Sequence, residues 1–127
     1  MAVPFAPEAR LMRALAHTER MAIIATLRDG SACVCHLTAI LGRPQAYVSQ
    51  QLAVLRAARL IEAYRDGGFT YYRLTDRKVL HLLEQAARVT GSPQRDRPGA
   101  SRAILLASKC GCPRCRAHPA PSQRRSA

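Results

Sequence analysis

Apolar residues recur with helical spacing through the first half of the chain. Stripes of this kind predict three short helices, the second and third followed by glycine. The predicted helices span residues 8–15, 18–28 and 32–41. Pro44 suits the first turn of a fourth helix, where its missing N–H costs nothing. Val48, Leu52 and Leu55 follow at i, i+4 and i+7, which predicts that this helix buries one face.

The spacing changes after Leu60. Residues 61–65 and 69–74 are rich in β-branched and aromatic side chains and predict two strands. Asp66-Gly67-Gly68 between them predicts a hairpin turn. A fifth helix, from about 75 to 89, has an apolar face too broad for so small a core. We therefore expect it to pair with the same helix of a second copy.

This order of elements predicts a mainly α fold with a β-hairpin wing, a dimeric winged helix–turn–helix. Three parts follow along the chain: a loose N-terminal lead-in, the winged helix–turn–helix domain with its dimerisation helices, and a basic, cysteine-containing flexible tail. They span residues 1–7, 8–90 and 91–127.

The net charge of +12 predicts an anionic partner, with nucleic acid as the first choice. The charge is uneven, because residues 91–127 hold eight basic residues and one acid, a net +7. No stretch is apolar enough for a membrane, and the N-terminus has no signal pattern, so we expect a cytoplasmic protein with reduced cysteines. The sequence also shows no catalytic acid–base pair, phosphate loop or nucleophile motif. It therefore predicts no enzyme, no organic cofactor and no small organic substrate.

The fourth helix is the predicted recognition helix, which such folds place in the major groove of double-stranded DNA. Gln45, Ser49 and Gln50 lie opposite its apolar face, and a Gln can bind both N6 and N7 of adenine. Arginines around the helix and wing are predicted to contact phosphates, which position the protein without specifying sequence. These are Arg43, Arg56 and Arg65. A helical hairpin with a merely polar face is the alternative interpretation.

Several segments resemble the ArsR/SmtB family of metal-responsive repressors. Residues 15–20 (LAHTER) resemble that family's opening segment, and residues 45–52 (QAYVSQQL) resemble its recognition helix. Residues 55–61 (LRAARLI) resemble the segment after that helix, and Asp66-Gly67 with residues 71–74 (YYRL) resembles its wing.

The resemblance implies a homodimeric repressor that binds a two-fold operator in double-stranded DNA. The contacts that it carries over to this chain are Gln45, Ala46, Ser49 and Gln50. Three of these four residues were also predicted from the helix pattern alone.

Cys33-Val34-Cys35 opens the predicted third helix. Residues i and i+2 of an ideal helix point about 200° apart, so one ion bound by both thiolates would strain the first turn. Two small buried hydrophobic side chains are the alternative interpretation. Many members of the ArsR/SmtB family have a metal-binding box at this point, and the resemblance therefore favours a site. In arsenic-type boxes a third cysteine follows three positions later, where this chain has Thr38.

Further thiolates for such a site are predicted to come from the tail, where three cysteines lie within six residues: Cys110, Cys112 and Cys115. They either complete the Cys33/Cys35 site or bind their own ion with His118, at zinc-compatible spacing. We prefer the first arrangement, because it connects the ion to the DNA-binding helices. Sulfur ligands predict a thiophilic inducer, Cd(II) or Pb(II) first and As(III) next.

The sequence therefore predicts a transcriptional repressor that leaves its operator on binding a thiophilic ion. A repressor that senses redox change or reactive sulfur on the same scaffold is the alternative. A thiol or metal carrier, or an enzyme, is a remote third hypothesis supported only by the cysteines.

Overall fold

The structure is a computed structural model that describes residues 3–92 and Cys112. The expectations for Cys110, Cys115, His118 and the remainder of the tail lie outside the described residues. The helices and strands of the described part, in chain order, are α1 (Ala6–Leu15), α2 (Thr18–Thr26), β1 (Ala32–Cys33), α3 (Val34–Leu41), α4 (Gln45–Ala57), β2 (Ile61–Asp66), β3 (Phe69–Leu74) and α5 (Lys78–Thr90). The predicted mainly α architecture with a β-hairpin wing is confirmed.

The N-terminal part of the predicted third helix is wrong. Ala32 and Cys33 form a short strand, and α3 begins only at Val34. The strand pairs antiparallel with β3, with Ala32 opposite Tyr72 and Cys33 opposite Tyr71. The wing is therefore a three-stranded sheet in the order β1-β3-β2. Pairing with β3 gives the backbone of these two residues hydrogen-bond partners that a first helical turn would lack.

The helix–turn–helix consists of α3, a tight turn and α4. Gly42 ends α3 in the left-handed conformation (φ 64°), and its N–H donates to the Thr38 carbonyl. Glycine adopts this conformation without the steric cost that a Cβ adds. Pro44 stands immediately before α4, one position earlier than expected. α2 is also shorter than expected, because it ends at Thr26 and a 3-10 turn (Leu27–Asp29) follows.

One hydrophobic core joins the helices to the inner face of the sheet. The predicted buried face of α4 is confirmed, because Val48, Leu52 and Leu55 are all fully buried. They pack with residues of α2, α3 and β2, among them Ile24 and Leu37. This shared core fixes the orientation of α4 relative to the rest of the domain.

Helices α1 and α5 leave large apolar side chains uncovered. Met12 on α1 and Val89 on α5 are exposed, as is Phe5 just before α1. Val79 and Leu80 at the start of α5 are buried in the core instead. Among the described residues, no helix combines the length and apolar character needed to cross a lipid bilayer.

Candidate functional site

Three cysteine sulfur atoms converge at the junction of β1 and α3. Their Sγ atoms, from Cys33, Cys35 and Cys112, all lie within 4.8 Å of one another. Cys33 Sγ lies 2.8 Å from Cys35 Sγ and 3.5 Å from Cys112 Sγ. Cys33 and Cys112 are buried, whereas Cys35 is exposed at the edge of the group. We call these three residues the sulfur cluster.

The backbone of Cys33 makes this convergence possible. Cys33 is the last residue of β1 and precedes α3 in an extended conformation (φ −85°, ψ 165°). It is therefore outside the helix that contains Cys35. The expected strain of a helical pair at i and i+2 is wrong for this reason, since both sulfur atoms meet without distortion of α3.

Two tyrosines of the wing complete the surroundings of the sulfur cluster. Cys33 and Cys112 form one buried group with Tyr71, and Tyr64 packs against it. The rings of Tyr64 and Tyr71 lie 5.6 Å apart between centroids. The Arg73 guanidinium covers Tyr64 at 4.6 Å from its ring centroid.

The predicted base-contacting side chains share the exposed face of α4. Gln45, Ala46, Ser49 and Gln50 are all exposed, on the side opposite the buried Val48. The helix starts at Gln45, so these residues occupy its first two turns. This arrangement can present amide and hydroxyl groups to base edges in a major groove.

The three predicted phosphate-contacting arginines are exposed, but two have partners within the protein. Arg43 Nε donates to Glu19 Oε1 at 2.7 Å, and its guanidinium lies 5.3 Å from the centroid of the Tyr47 ring. Arg65 Nη2 lies 3.4 Å from the Gly68 carbonyl of the wing turn. Arg56 lies in the last turn of α4.

Glu19 and Tyr47 form the polar centre of a contact between α2 and α4. The Tyr47 hydroxyl is the main cause that holds the pKa of Glu19 below its usual value, and Arg43 lowers it further. The neighbouring Glu19 carboxylate in turn raises the pKa of Tyr47. His17 Nδ1 accepts from the Glu19 N–H, and its Nε2 lies 3.4 Å from the Tyr47 hydroxyl. The start of the recognition helix is thus held to the start of α2.

A second polar contact holds the middle of α4. Gln51 is the buried polar side chain of that helix, and its Oε1 accepts from Arg20 Nη1 at 2.9 Å. Arg20 Nε also donates to the Ala14 carbonyl at 2.6 Å. The arginine therefore connects α4 to the carboxyl end of α1.

Comparison with known proteins places this arrangement in a family. The model of bacterial regulatory proteins of the arsR family matches residues 17–63. The biofilm growth-associated repressor of Agrobacterium fabrum is 34% identical over 86 residues, which cover 68% of this chain and 74% of that protein. The chain belongs to the ArsR family of bacterial regulatory proteins.

This ArsR-family chain is also similar to the HTH-type transcriptional repressor SmtB of Mycobacterium tuberculosis, with 40% identity over 81 residues. That match covers 64% of this chain and 60% of SmtB, so the chain spans less than two thirds of that relative. The homodimeric winged helix–turn–helix DNA-binding domain of Mb0332 from Mycobacterium bovis gives a TM-score of 0.61 at 29% identity. That comparison covers 67% of this chain and 79% of the domain.

Sequence reasoning missed the aromatic surroundings of the sulfur cluster in this ArsR-family chain. Tyr64 and Tyr71 lie beside the cluster because they stand opposite each other in the wing, and Tyr71 stands opposite Cys33. The alternation within residues 69–74 could have placed Phe69 and Tyr71 on one face of the sheet. The contact of Tyr71 with Cys33 depends on the pairing of β1 with β3, which the sequence pattern did not predict. The polar contacts of Glu19 with Arg43 and of Arg20 with Gln51 left no signal in the apolar spacing.

Proposed function

We propose that this chain is a metal-responsive transcriptional repressor that binds operator DNA as a homodimer and leaves it on binding a thiophilic ion. The observation that carries this proposal is the sulfur cluster, since its three donors gather beside the helix–turn–helix. Cd(II) or Pb(II) is the proposed inducer, with As(III) next. All three accept thiolate ligands readily.

The distances within the sulfur cluster support the binding of one ion. In a tetrahedral zinc site, metal–sulfur bonds of about 2.3 Å place two sulfur atoms about 3.8 Å apart, and the larger ions Cd(II) and Pb(II) need a somewhat wider separation. The observed separation of 3.5 Å between Cys33 and Cys112 is close to that value. The 2.8 Å between Cys33 and Cys35 must open by about 1 Å, and the exposed position of Cys35 gives it room.

The donor chemistry supports a soft ion rather than a hard one. Within the described residues, this group of possible ligands contains sulfur alone, without carboxylate or imidazole. Cysteine thiolates select soft ions, whereas carboxylate and carbonyl oxygens suit Mg(II) or Ca(II). A three-sulfur site suits As(III) or Pb(II), and a further thiol from Cys110 or Cys115 would give the four sulfurs that Cd(II) favours.

Cys33 gives the ion a route to the recognition helix. It belongs to β1 and precedes α3, and α3 packs against α4 through Leu37 and Leu52. A tenfold to hundredfold loss of operator affinity requires about 1.4–2.7 kcal/mol of coupling between the sites, which is ordinary for allostery. A small change in the backbone conformation at Cys33 is therefore sufficient for this loss of affinity, provided that the bound ion stabilises the changed conformation.

The proposed dimer uses the apolar side chains that α1 and α5 leave exposed. Phe5, Met12 and Val89 lie there, and burying them against a second copy removes them from water. The related Mb0332 domain is homodimeric. Two copies would then present two recognition helices to the two halves of an operator.

On DNA, we propose base contacts for Gln45, Ala46, Ser49 and Gln50, and phosphate contacts for Arg43, Arg56 and Arg65. A base-contacting side chain affects sequence preference, whereas a phosphate contact affects all sequences alike. Gln50→Ala is therefore expected to reduce the preference for operator over random DNA. A uniform loss over both DNAs would contradict its proposed role.

The function is tested by titrating reduced protein with Cd(II) and As(III) under anaerobic conditions while operator binding is followed by fluorescence anisotropy. The wild type is expected to lose at least tenfold in affinity, and Cys33→Ser is expected to keep its metal-free affinity but to lose the response. Cys35→Ser should behave in the same way. A Cys33→Ser protein that still responds fully would show that the sulfur cluster is not the inducer site.

One observation favours redox sensing as a second candidate function. Cys35 is disulfide-bonded in this structure, so this bond must be reduced before Cys35 can act as a thiolate donor in the sulfur cluster. In that mechanism two thiols lose two electrons and two protons to an oxidant, and the new disulfide is the signal. The same titration separates the candidates, because a redox sensor would release DNA only after an oxidant or polysulfide is added.

A further inference from the structure

The two faces of the wing sheet differ in what covers them. Antiparallel pairing puts opposite residues on the same face, so Cys33, Tyr71 and Tyr64 share the face that we call the outer face. Ala32 and Tyr72 lie on the inner face, where both join the helical core.

An outer face of this kind is usually exposed to water, and here its margins are exposed but its centre is covered. Tyr71 is only 2% exposed, although it stands in the central strand on the side away from the helical core. Its described neighbours in this group are Cys33, Tyr64 and Cys112. A side chain of this size needs a partner that covers it, and Cys112 is the one that comes from outside the sheet.

Cys112 is itself fully buried in this position. It lies 79 residues from Cys33 in sequence, yet their Sγ atoms are 3.5 Å apart. Burial of a tail residue between a cysteine and two tyrosines indicates a recessed, partly apolar surface. The ion pair of Arg73 with Glu62, at 2.6 Å, lies beside Tyr64 and gives this surface a polar border.

We propose that the outer face of the wing, through Tyr64 and Tyr71, is a docking surface for the chain's own C-terminal segment around Cys112, residues 110–115. This docking deepens the proposed function, on which its regulatory meaning rests, because it brings the third sulfur to the ion. The docking contact itself requires no ion and is expected to persist when the disulfide of Cys35 is reduced.

The tether makes the chain's own segment the preferred occupant. Nineteen residues, 93–111, separate Ser92 from Cys112. A segment of that length reaches about 60 Å when extended, at about 3.3 Å per residue. A covalent tether of this length holds the segment at an effective concentration near the millimolar range, which few separate partners reach.

Docking gives the tail cysteine a role before the ion arrives. Without docking, an ion that binds Cys33 and Cys35 would have to recruit its third ligand from 79 residues away in sequence, with the entropy cost of closing that loop. A tail that is already seated on Tyr64 and Tyr71 removes most of this cost. The tyrosines are thus positioning residues for the sulfur cluster, although they donate no ligand.

The test measures alkylation of Cys112 by iodoacetamide in the full chain, reduced, anaerobic and free of metal, with peptide mass spectrometry as the readout. In the wild type, Cys112 is expected to react at least tenfold more slowly than in the same chain unfolded in urea. Tyr64→Ala is expected to remove most of this protection. Phe69→Ala is the matched control, because Phe69 is an aromatic residue of the same face but outside the group around Cys112.

Several results would overturn the proposal. Equal rates for Cys112 in the folded and the urea-unfolded wild type would do so, whether or not Tyr64→Ala folds. Equal protection in folded Tyr64→Ala and the wild type would remove the role of the tyrosine. Protection that disappears on dilution would show that a second copy supplies the segment.

No ion and no DNA enters this measurement, so its outcome is independent of the proposed function. A chain that ignores Cd(II) can still protect Cys112, and a chain that releases DNA with Cd(II) can fail to do so.

Discussion

Arg20 of α2 connects its own helix to α1 and α4, and its replacement by alanine should lower the stability of the domain by removing these connections. Nε donates to the Ala14 carbonyl at 2.6 Å, Nη1 to Gln51 Oε1 at 2.9 Å and Nη2 to the Arg13 carbonyl at 3.3 Å. The first and last of these satisfy carbonyls at the carboxyl end of α1. The middle one satisfies a buried amide of the recognition helix. Arg20→Ala removes all three.

The magnitude follows from the two shorter bonds and from what they leave behind. A hydrogen bond to a charged group contributes about 1.5–3 kcal/mol, and the half-buried position of Arg20 favours the lower end. The buried oxygen of Gln51 then lacks its donor, at a cost of about 1–3 kcal/mol. The loss at Gln51 is counted once, so about 1.5 kcal/mol for the Ala14 bond and about 1.5 kcal/mol for the Gln51 oxygen without its donor give an expected decrease of about 3 kcal/mol in the free energy of unfolding. This corresponds to a Tm lower by about 10–20 °C in a domain of this size.

The assay is urea unfolding at one fixed protein concentration, because a dimer would make stability depend on concentration. Arg28→Ala is the matched control. Its ion pair with Glu84 is long, at 3.5 Å, and both side chains are largely in water, so less than about 1 kcal/mol should be lost.

Arg20→Ala combined with Gln51→Leu is expected to recover about 1 kcal/mol relative to Arg20→Ala alone, because no buried amide is then left without a donor. Equal losses for the Arg20 and Arg28 variants, or a double variant that is simply additive, would refute the reasoning.

Three further outcomes are expected. The pKa of Glu19 is lowered in the folded state, so its contribution to stability is complete above the usual glutamate pKa and is lost as pH falls through the lowered value. In a series of urea unfolding midpoints at decreasing pH, Glu19→Gln should therefore lack this acid-dependent loss of stability. Gly68→Val should lower the free energy of unfolding by about 1–2 kcal/mol through its left-handed backbone alone (φ 83°), since no atom lies within 4 Å of the added Cβ. In the same assay, Gly67→Asn should lower it by less than half of that amount, because asparagine tolerates the left-handed conformation better. Truncation after Gly91 removes a net charge of +7 and the tail cysteines. The salt dependence of DNA binding should then become shallower, and the response of operator binding to metal should become weaker. An unchanged response to metal would exclude the tail from the inducer site.

The elements with a strong local pattern could be predicted from the sequence. α4 was found because Val48, Leu52 and Leu55 repeat at helical spacing and Pro44 marks its start. The wing hairpin was found because two β-rich stretches surround Asp66-Gly67-Gly68. In both cases the signal lies within a few residues, so no knowledge of distant parts of the chain was required.

The sulfur cluster could be predicted only in part, because it depends on contacts between distant segments. Cys33 and Cys35 attract attention by their spacing, but the strand that holds Cys33 is two residues long and exists only through its pairing with Tyr71 and Tyr72. Local spacing extended the helix through it for that reason. The place of Cys112 has no local signal at all, since the tail has no periodicity that would direct it to the wing.

The short strand β1 changes how an ion would act on DNA binding. A pair of thiolates inside a helix would have transmitted strain through α3 alone. Cys33 instead belongs to the sheet of the wing and directly precedes α3, the helix that packs against the recognition helix α4. An ion that favours a different geometry at Cys33 would therefore displace the wing and the recognition helix together. Because each displacement alone needs to contribute only part of the 1.4–2.7 kcal/mol that the proposed response requires, movements too small to disrupt the core are sufficient.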